Sequence, residues 1–245
     1  GSLDWHSADL CEALGAQATT AVEELSPPEW LTVLRYFTGV GYHHVELCHA
    51  ASRWALERVR QLQLHHLEVL VTSLAHFRHI DGLLGDRIAD VVDPVPPGAD
   101  GATLLQLAAA LAVVGVDRTR FFQQVLGHLS VSGASLGPFL DAGPIRRAHL
   151  LLLFAKSGTS QPRLVLNLVR GISPEAVRAA VPLSLLAPLV RQLHRAALQQ
   201  EALLLDARPL MRELALAAAE LAAANRSTPS ELAPLASGIA FFGVE

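Results

Sequence analysis

The chain has 245 residues, 51% of them hydrophobic, and a formal net charge of −4. Its apolar residues are mostly Leu and Ala, which are strong helix formers, and strand-type alternation is nearly absent, so a β fold is excluded. The longest apolar runs, such as Leu150 to Ala155, are far too short to span a bilayer, and two cysteines, Cys11 and Cys48, do not make a disulfide framework.

Gly1-Ser2 reads as a cloning remnant. An N-terminal helix is expected over residues 3–25. One pattern then recurs: apolar residues at i, i+3 and i+7, followed by a turn that is often Gly. The copies are Trp30/Val33/Phe37 before Gly41, Leu67/Leu70/Leu74 before Arg78 to Asp81, and Leu104/Leu107/Leu111 before Gly115. Arg147/Leu150/Phe154 follow before Gly158, then Leu186/Leu189/Leu193 before Ala197, and Leu232/Leu235/Ile239 before Gly243. The copies start at 30, 67, 104, 147, 186 and 232, so the repeat is 37 to 46 residues long. Positions i, i+3 and i+7 share one helix face, which must be buried, and a left-handed Gly ends a helix. A second apolar-faced helix follows most turns: Val45, Leu47, Ala51 and Trp54 mark the first, Leu83, Leu84, Ile88 and Val91 the next, and Phe121, Phe122, Val125 and Leu129 the third. Leu164, Leu168 and Val169 mark the fourth. Ser26-Pro27-Pro28-Glu29, Ser173-Pro174-Glu175 and Thr228-Pro229-Ser230-Glu231 have the order of a helix start. Residues 93–100 and 130–143 read as long loops.

One helix pair cannot hide its own apolar stripe, but stacked pairs can. The expected fold is therefore all-α, an α-solenoid of about five to six stacked helix-pair repeats. Residues 1–245 are expected to form one repeat domain. Repeats over 26–97 are acidic, those over 98–172 are basic, and those over 173–245 end in an incomplete copy.

Charge is segregated. Residues 1–100 carry six Arg and 14 acidic groups. Residues 118–195 carry Arg118, Arg120, Arg146, Arg147, Lys156, Arg163, Arg170, Arg178, Arg191 and Arg195, against Asp141 and Glu175. Phosphate neutralisation needs several cations along a track, and repeats place equivalent side chains at regular steps. Arg118, Arg120, Arg146, Lys156, Arg163, Arg170, Arg191 and Arg195 are the candidate RNA- or partner-binding residues. Arg147 occupies a position that is apolar in other copies. An ordinary charged solvent face is the plain alternative for the whole set.

No catalytic motif is present: Gly-x-Ser-x-Gly, P-loop and Gly-x-Gly-x-x-Gly are all missing. No catalytic residue, cofactor or small-molecule substrate is expected. His43, His44, Cys48 and His49 cluster in sequence, and His44 and Cys48 have the i, i+4 spacing of two zinc ligands on one helix face. His65, His66, His76 and His79 lie one repeat later. The plain reading puts Cys48 in the core and the histidines at helix ends or on the surface, and no metal ligand is assigned.

The helix pairs, best seen from Leu67 to Asp81 and from Leu104 to Asp117, resemble heptatricopeptide and octotricopeptide-type repeats of organellar RNA-metabolism proteins, including the FAST-kinase-like and RAP-domain class. With 18 Arg and a single Lys, the chain also looks like helical-repeat components of the kinetoplastid mitochondrial RNA-editing mediator (substrate-binding) complex. The resemblance implies a non-catalytic protein that binds mRNA or guide RNA and bridges protein subunits of a ribonucleoprotein complex, without membrane contact. It also implies a mitochondrial location with the presequence removed, a cytoplasmic one being the runner-up. The chain lacks a RAP domain and the Asn, Thr and Ser code positions of pentatricopeptide repeats. The alternative is a protein–protein scaffold of HEAT, armadillo or tetratricopeptide type.

Overall fold

The computed structural model describes residues 8–77, 79–80, 82–131, 143–158, 162–170, 183–199, 205–223 and 229–243. Over these residues the chain is all-helical, with no strand. It forms two compact units, residues 1–116 and 117–245.

The first unit holds α1 (Ala8–Thr20), α2 (Pro27–Val40), α3 (Val45–Arg58), α4 (Leu64–His76), α5 (Gly82–Val92) and α6 (Gly101–Val113), with a 3-10 turn at Val59–Gln61. The helices pack in two rows: α2 against α4 and α4 against α6 in one, α1 against α3 and α3 against α5 in the other. The repeated apolar positions explain the first row. Trp30, Phe37, Leu67, Leu70, Leu74, Leu104, Leu107 and Leu111 are all buried, and only Val33 is partly exposed. Trp30 meets Trp54 of α3 with ring centroids 6.2 Å apart. Val45 and Leu83, expected in the core, are instead exposed. Val45 is the first residue of α3 and Leu83 the second of α5, and the inward position is taken by the residues that follow, Leu47 and Leu84.

Local chemistry sets the helix ends. At the start of α2 the Glu29 carboxylate reaches back to accept from the Ser26 N–H at 2.8 Å and from its hydroxyl. This holds the Glu29 carboxyl below its ordinary pKa. At the end of α2, Gly41 takes a left-handed φ of 68°, and the Tyr42 N–H donates to the Phe37 carbonyl at 3.1 Å. Asp100 caps α6, accepting from the Thr103 N–H at 2.8 Å.

The second unit holds α7 (Thr119–Val131), α8 (Pro144–Ser157), α9 (Pro162–Arg170), α10 (Leu183–Gln199), α11 (Arg208–Ala223) and α12 (Pro229–Phe241). Here α8 packs on α10 and α10 on α12. Flanking them, α7 packs on α8, α9 on α8 and α10, and α11 on α10 and α12. Leu150, Phe154, Leu189 and Leu193 of the repeat pattern are buried. A Cβ at Gly238 would collide with the Val190 side chain, so α12 approaches α10 through a position that only glycine can fill. The expected helix start at Ser173 lies outside the described residues, as do 132–142 of the second long loop.

Candidate functional site

The basic side chains expected to bind RNA or a partner all belong to the second unit. Arg118 and Arg120 flank the first residue of α7, and both are exposed. Arg146 and Arg147 lie in the first turn of α8 and are half-buried; Arg147 Nη1 donates to the Asn167 carbonyl at 3.3 Å. That bond explains how an arginine takes an apolar position of the repeat. Its guanidinium ties α8 to α9 instead of entering the core.

Lys156, in the last turn of α8, is half-buried, and burial holds its ammonium below the ordinary lysine range, partly opposed by the Asp117 carboxylate. Arg170, at the end of α9, is exposed but pairs with Asp206, whose Oδ2 lies 2.8 Å from both Nε and Nη2. Part of its charge is therefore already met. Arg191 and Arg195 are separated by one turn of α10, and both are exposed. The opposite face of the same helix carries buried Leu189, Val190, Leu193, Ala196 and Ala197. Burying that stripe forces the two guanidiniums outward. The side chain of Arg163 and the whole of Arg178 lie outside the described residues.

A second constellation lies in the first unit, where the start of α3 meets the turn after α4. His44 is not a ligand partner of Cys48. It is the N-cap of α3: its Nδ1 accepts from the Leu47 N–H at 3.1 Å, and its ring is buried. The ring lies on Gly15 of α1 so closely that a Cβ there would strike it, and Nε2 is 3.7 Å from Glu12 Oε1. A cap residue folds back over its helix start, so the rule that i and i+4 share a face does not apply to it.

The histidine grouped with Cys48 is the neighbouring His43. Tyr42 and His44 both reach α1, Tyr42 through a 3.0 Å hydrogen bond from its hydroxyl to Glu12. Between them, His43 turns the other way and stacks on Phe77 at the end of α4, with centroids 5.2 Å apart and planes 6° from parallel. His79 follows Phe77 by two residues, and its N–H donates to the Leu74 carbonyl at 2.9 Å. The ligand atoms of His43, Cys48 and His79 all lie within 4.8 Å of one another. Cys48 is 1% exposed, and burial pushes its thiol up to about 11. His49 packs edge-on against His79 at 4.2 Å. Sequence spacing missed this grouping because it joins the turn and first residues of α3 with the turn after α4, in two successive helix pairs. The one available signal was that both turns carry histidine.

Among the described residues no helix is long and apolar enough to cross a membrane. Comparison with known protein families and with curated proteins finds no match to this chain.

Proposed function

We propose that the chain is a non-catalytic α-solenoid of helix-pair repeats that contacts RNA backbone through the arginine-bearing face of residues 118–195. The observation that carries this reading is the outward pair Arg191 and Arg195 on α10, within a segment holding ten basic residues. The helices that begin each repeat pack side by side within each unit, as a stacked array requires. Phosphate contacts of this kind position a nucleic acid without reading its sequence. Few aromatic side chains are available for base stacking: Phe121, Phe122 and Phe154 are buried. A role in mitochondrial mRNA processing or editing rests on the repeat resemblance and the Arg-rich, Lys-poor composition.

The test is fluorescence anisotropy with a labelled single-stranded RNA of mixed sequence, at several salt concentrations. Binding should weaken steeply with salt, with a slope of about −0.7 per neutralised phosphate. Replacing Arg118, Arg120, Arg163 and Arg191 together by Glu should lower affinity at least about tenfold and flatten that slope. Unchanged binding would remove the arginine face from the proposal.

A protein–protein scaffold is the second reading, and a different observation favours it. Between α1 and α2 lies an open apolar groove of about 350 Å³ lined by Leu14, Ala18, Leu25, Val33 and Tyr36. Leu14, which lines it, is an exposed large apolar side chain. Recovery of a protein partner that survives nuclease treatment and is lost on Leu14→Asp would favour this reading.

A further inference from the structure

We infer that His43, Cys48 and His79 form a binding site for one zinc-class divalent cation, which ties the turn after α2 to the turn after α4. The donor set is chemically selective. One thiolate and two imidazoles suit zinc and disfavour magnesium or calcium, which take oxygen ligands.

The geometry is near what such an ion needs. A tetrahedral zinc site places its N and S donors roughly 3.3–3.7 Å apart, and here the three donor atoms lie within 4.8 Å of one another. Closing the difference takes an ångström or so. Cys48 is fixed in the core, whereas His43 is exposed and His79 partly exposed, so the imidazoles can swing toward the sulfur.

Neighbouring rings keep both imidazoles beside the thiol, as the outer shell of a metal site does. Phe77 stacks on His43, and His49 packs edge-on against His79. The backbone of His79 is tied to Leu74, and His43 sits between Tyr42 and His44, both engaged with α1. Binding exchanges the Cys48 thiol proton for the cation, with the proton passing to solvent. Three protein donors leave a fourth position for water.

The structural consequence is a cross-link between the first two helix pairs. Neither helix pair alone supplies the donor set: His43 precedes α3 and Cys48 lies in its first turn, while His79 comes from the turn after α4.

Cobalt titration of the full, untagged chain tests the proposal. One equivalent should give the visible bands of a tetrahedral ion together with a thiolate-to-cobalt charge-transfer band, and zinc should displace both. Cys48→Ala should abolish the charge-transfer band, while Cys11→Ala should leave it unchanged. His43→Ala, at an exposed position, should weaken cobalt binding at least about tenfold with the far-UV spectrum unaltered. His44→Gln should retain binding. Should Cys48→Ala fail to fold, His43→Ala decides alone. Absence of the charge-transfer band in the wild type, its survival in folded Cys48→Ala, or undiminished binding by His43→Ala would overturn the site.

Discussion

Gly85 of α5 is the sharpest test of packing in the first unit. In an isolated helix, Gly→Ala stabilises by about 0.5–1 kcal/mol. Here the added Cβ would sit 2.5 Å from Val116 Cγ2, with Leu111 and Val114 methyls 3.9 Å away. Carbon atoms rest at about 3.5–4.0 Å, so α5 or Val116 must give by roughly an ångström. Val116 is 2% exposed, and its N–H donates to the Leu111 carbonyl at 3.1 Å, so neither side chain nor backbone is free to retreat. Overpacking of this kind costs about 1–3 kcal/mol. The net effect of Gly85→Ala is a loss of about 1 kcal/mol, seen as a lower urea midpoint by far-UV circular dichroism with an unchanged slope. Val116→Ala alone should also destabilise, by about 1.5–2.5 kcal/mol, because it leaves a cavity. The double variant should lose less than the sum by about 1 kcal/mol or more, since the new methyl enters the space vacated. Gly39→Ala in α2 is the control. It has no neighbour within 4 Å and should be stabilised by about 0.5 kcal/mol. A stabilised Gly85→Ala, or strict additivity in the double variant, would refute the close approach of α5 to Val116.

Two further predictions concern a half-buried histidine and a helix cap. His149 in α8 is half-buried; desolvation, and secondarily the Arg146 charge, hold its pKa below the ordinary 6.5. The unfolded chain therefore binds a proton at a pH where the folded chain does not, and stability falls as pH drops below about 6.5 toward the folded value. His149→Leu should reduce the loss in urea midpoint between about pH 7.5 and 5.5 relative to wild type, and an equal loss in both proteins would dismiss the effect. Asp100→Ala removes the acceptor for the Thr103 N–H and hydroxyl at the start of α6. It should cost about 1 kcal/mol in urea denaturation, with Asp100→Asn recovering most of it.

The helices were legible because burial and helix termination both leave marks in sequence. Leu67, Leu70 and Leu74 are buried together because the i, i+3, i+7 spacing is a geometric property of the helix. Gly41, Gly115, Gly158 and Gly243, read as turns, all take positive φ, where a Cβ is disfavoured. The Ser26 start marks α2 to within a residue. Arg147 departs from the pattern, and its bond to Asn167 could not be read from spacing, because it joins two helices. The same limit applied to the histidines. Spacing along one helix pointed to His44 with Cys48, whereas the grouping uses His43 and a residue from the next turn. His44 was diverted by a backbone N–H left open at the start of α3. Of the arginines, sequence gave the charge but not the engagement: Arg170 already faces Asp206, while Arg191 and Arg195 point outward because their helix has an apolar stripe to hide.

The Trp30–Trp54 contact has a practical use. The chain's three tryptophans, Trp5, Trp30 and Trp54, all fall within the first 54 residues, and the latter two are shielded in the first unit. Intrinsic fluorescence on excitation of indole is thus a local reporter, blind to melting of residues 117–245, whereas backbone dichroism averages over every helix. Overlaying the two unfolding curves tells whether the halves lose their structure in one cooperative step or in succession.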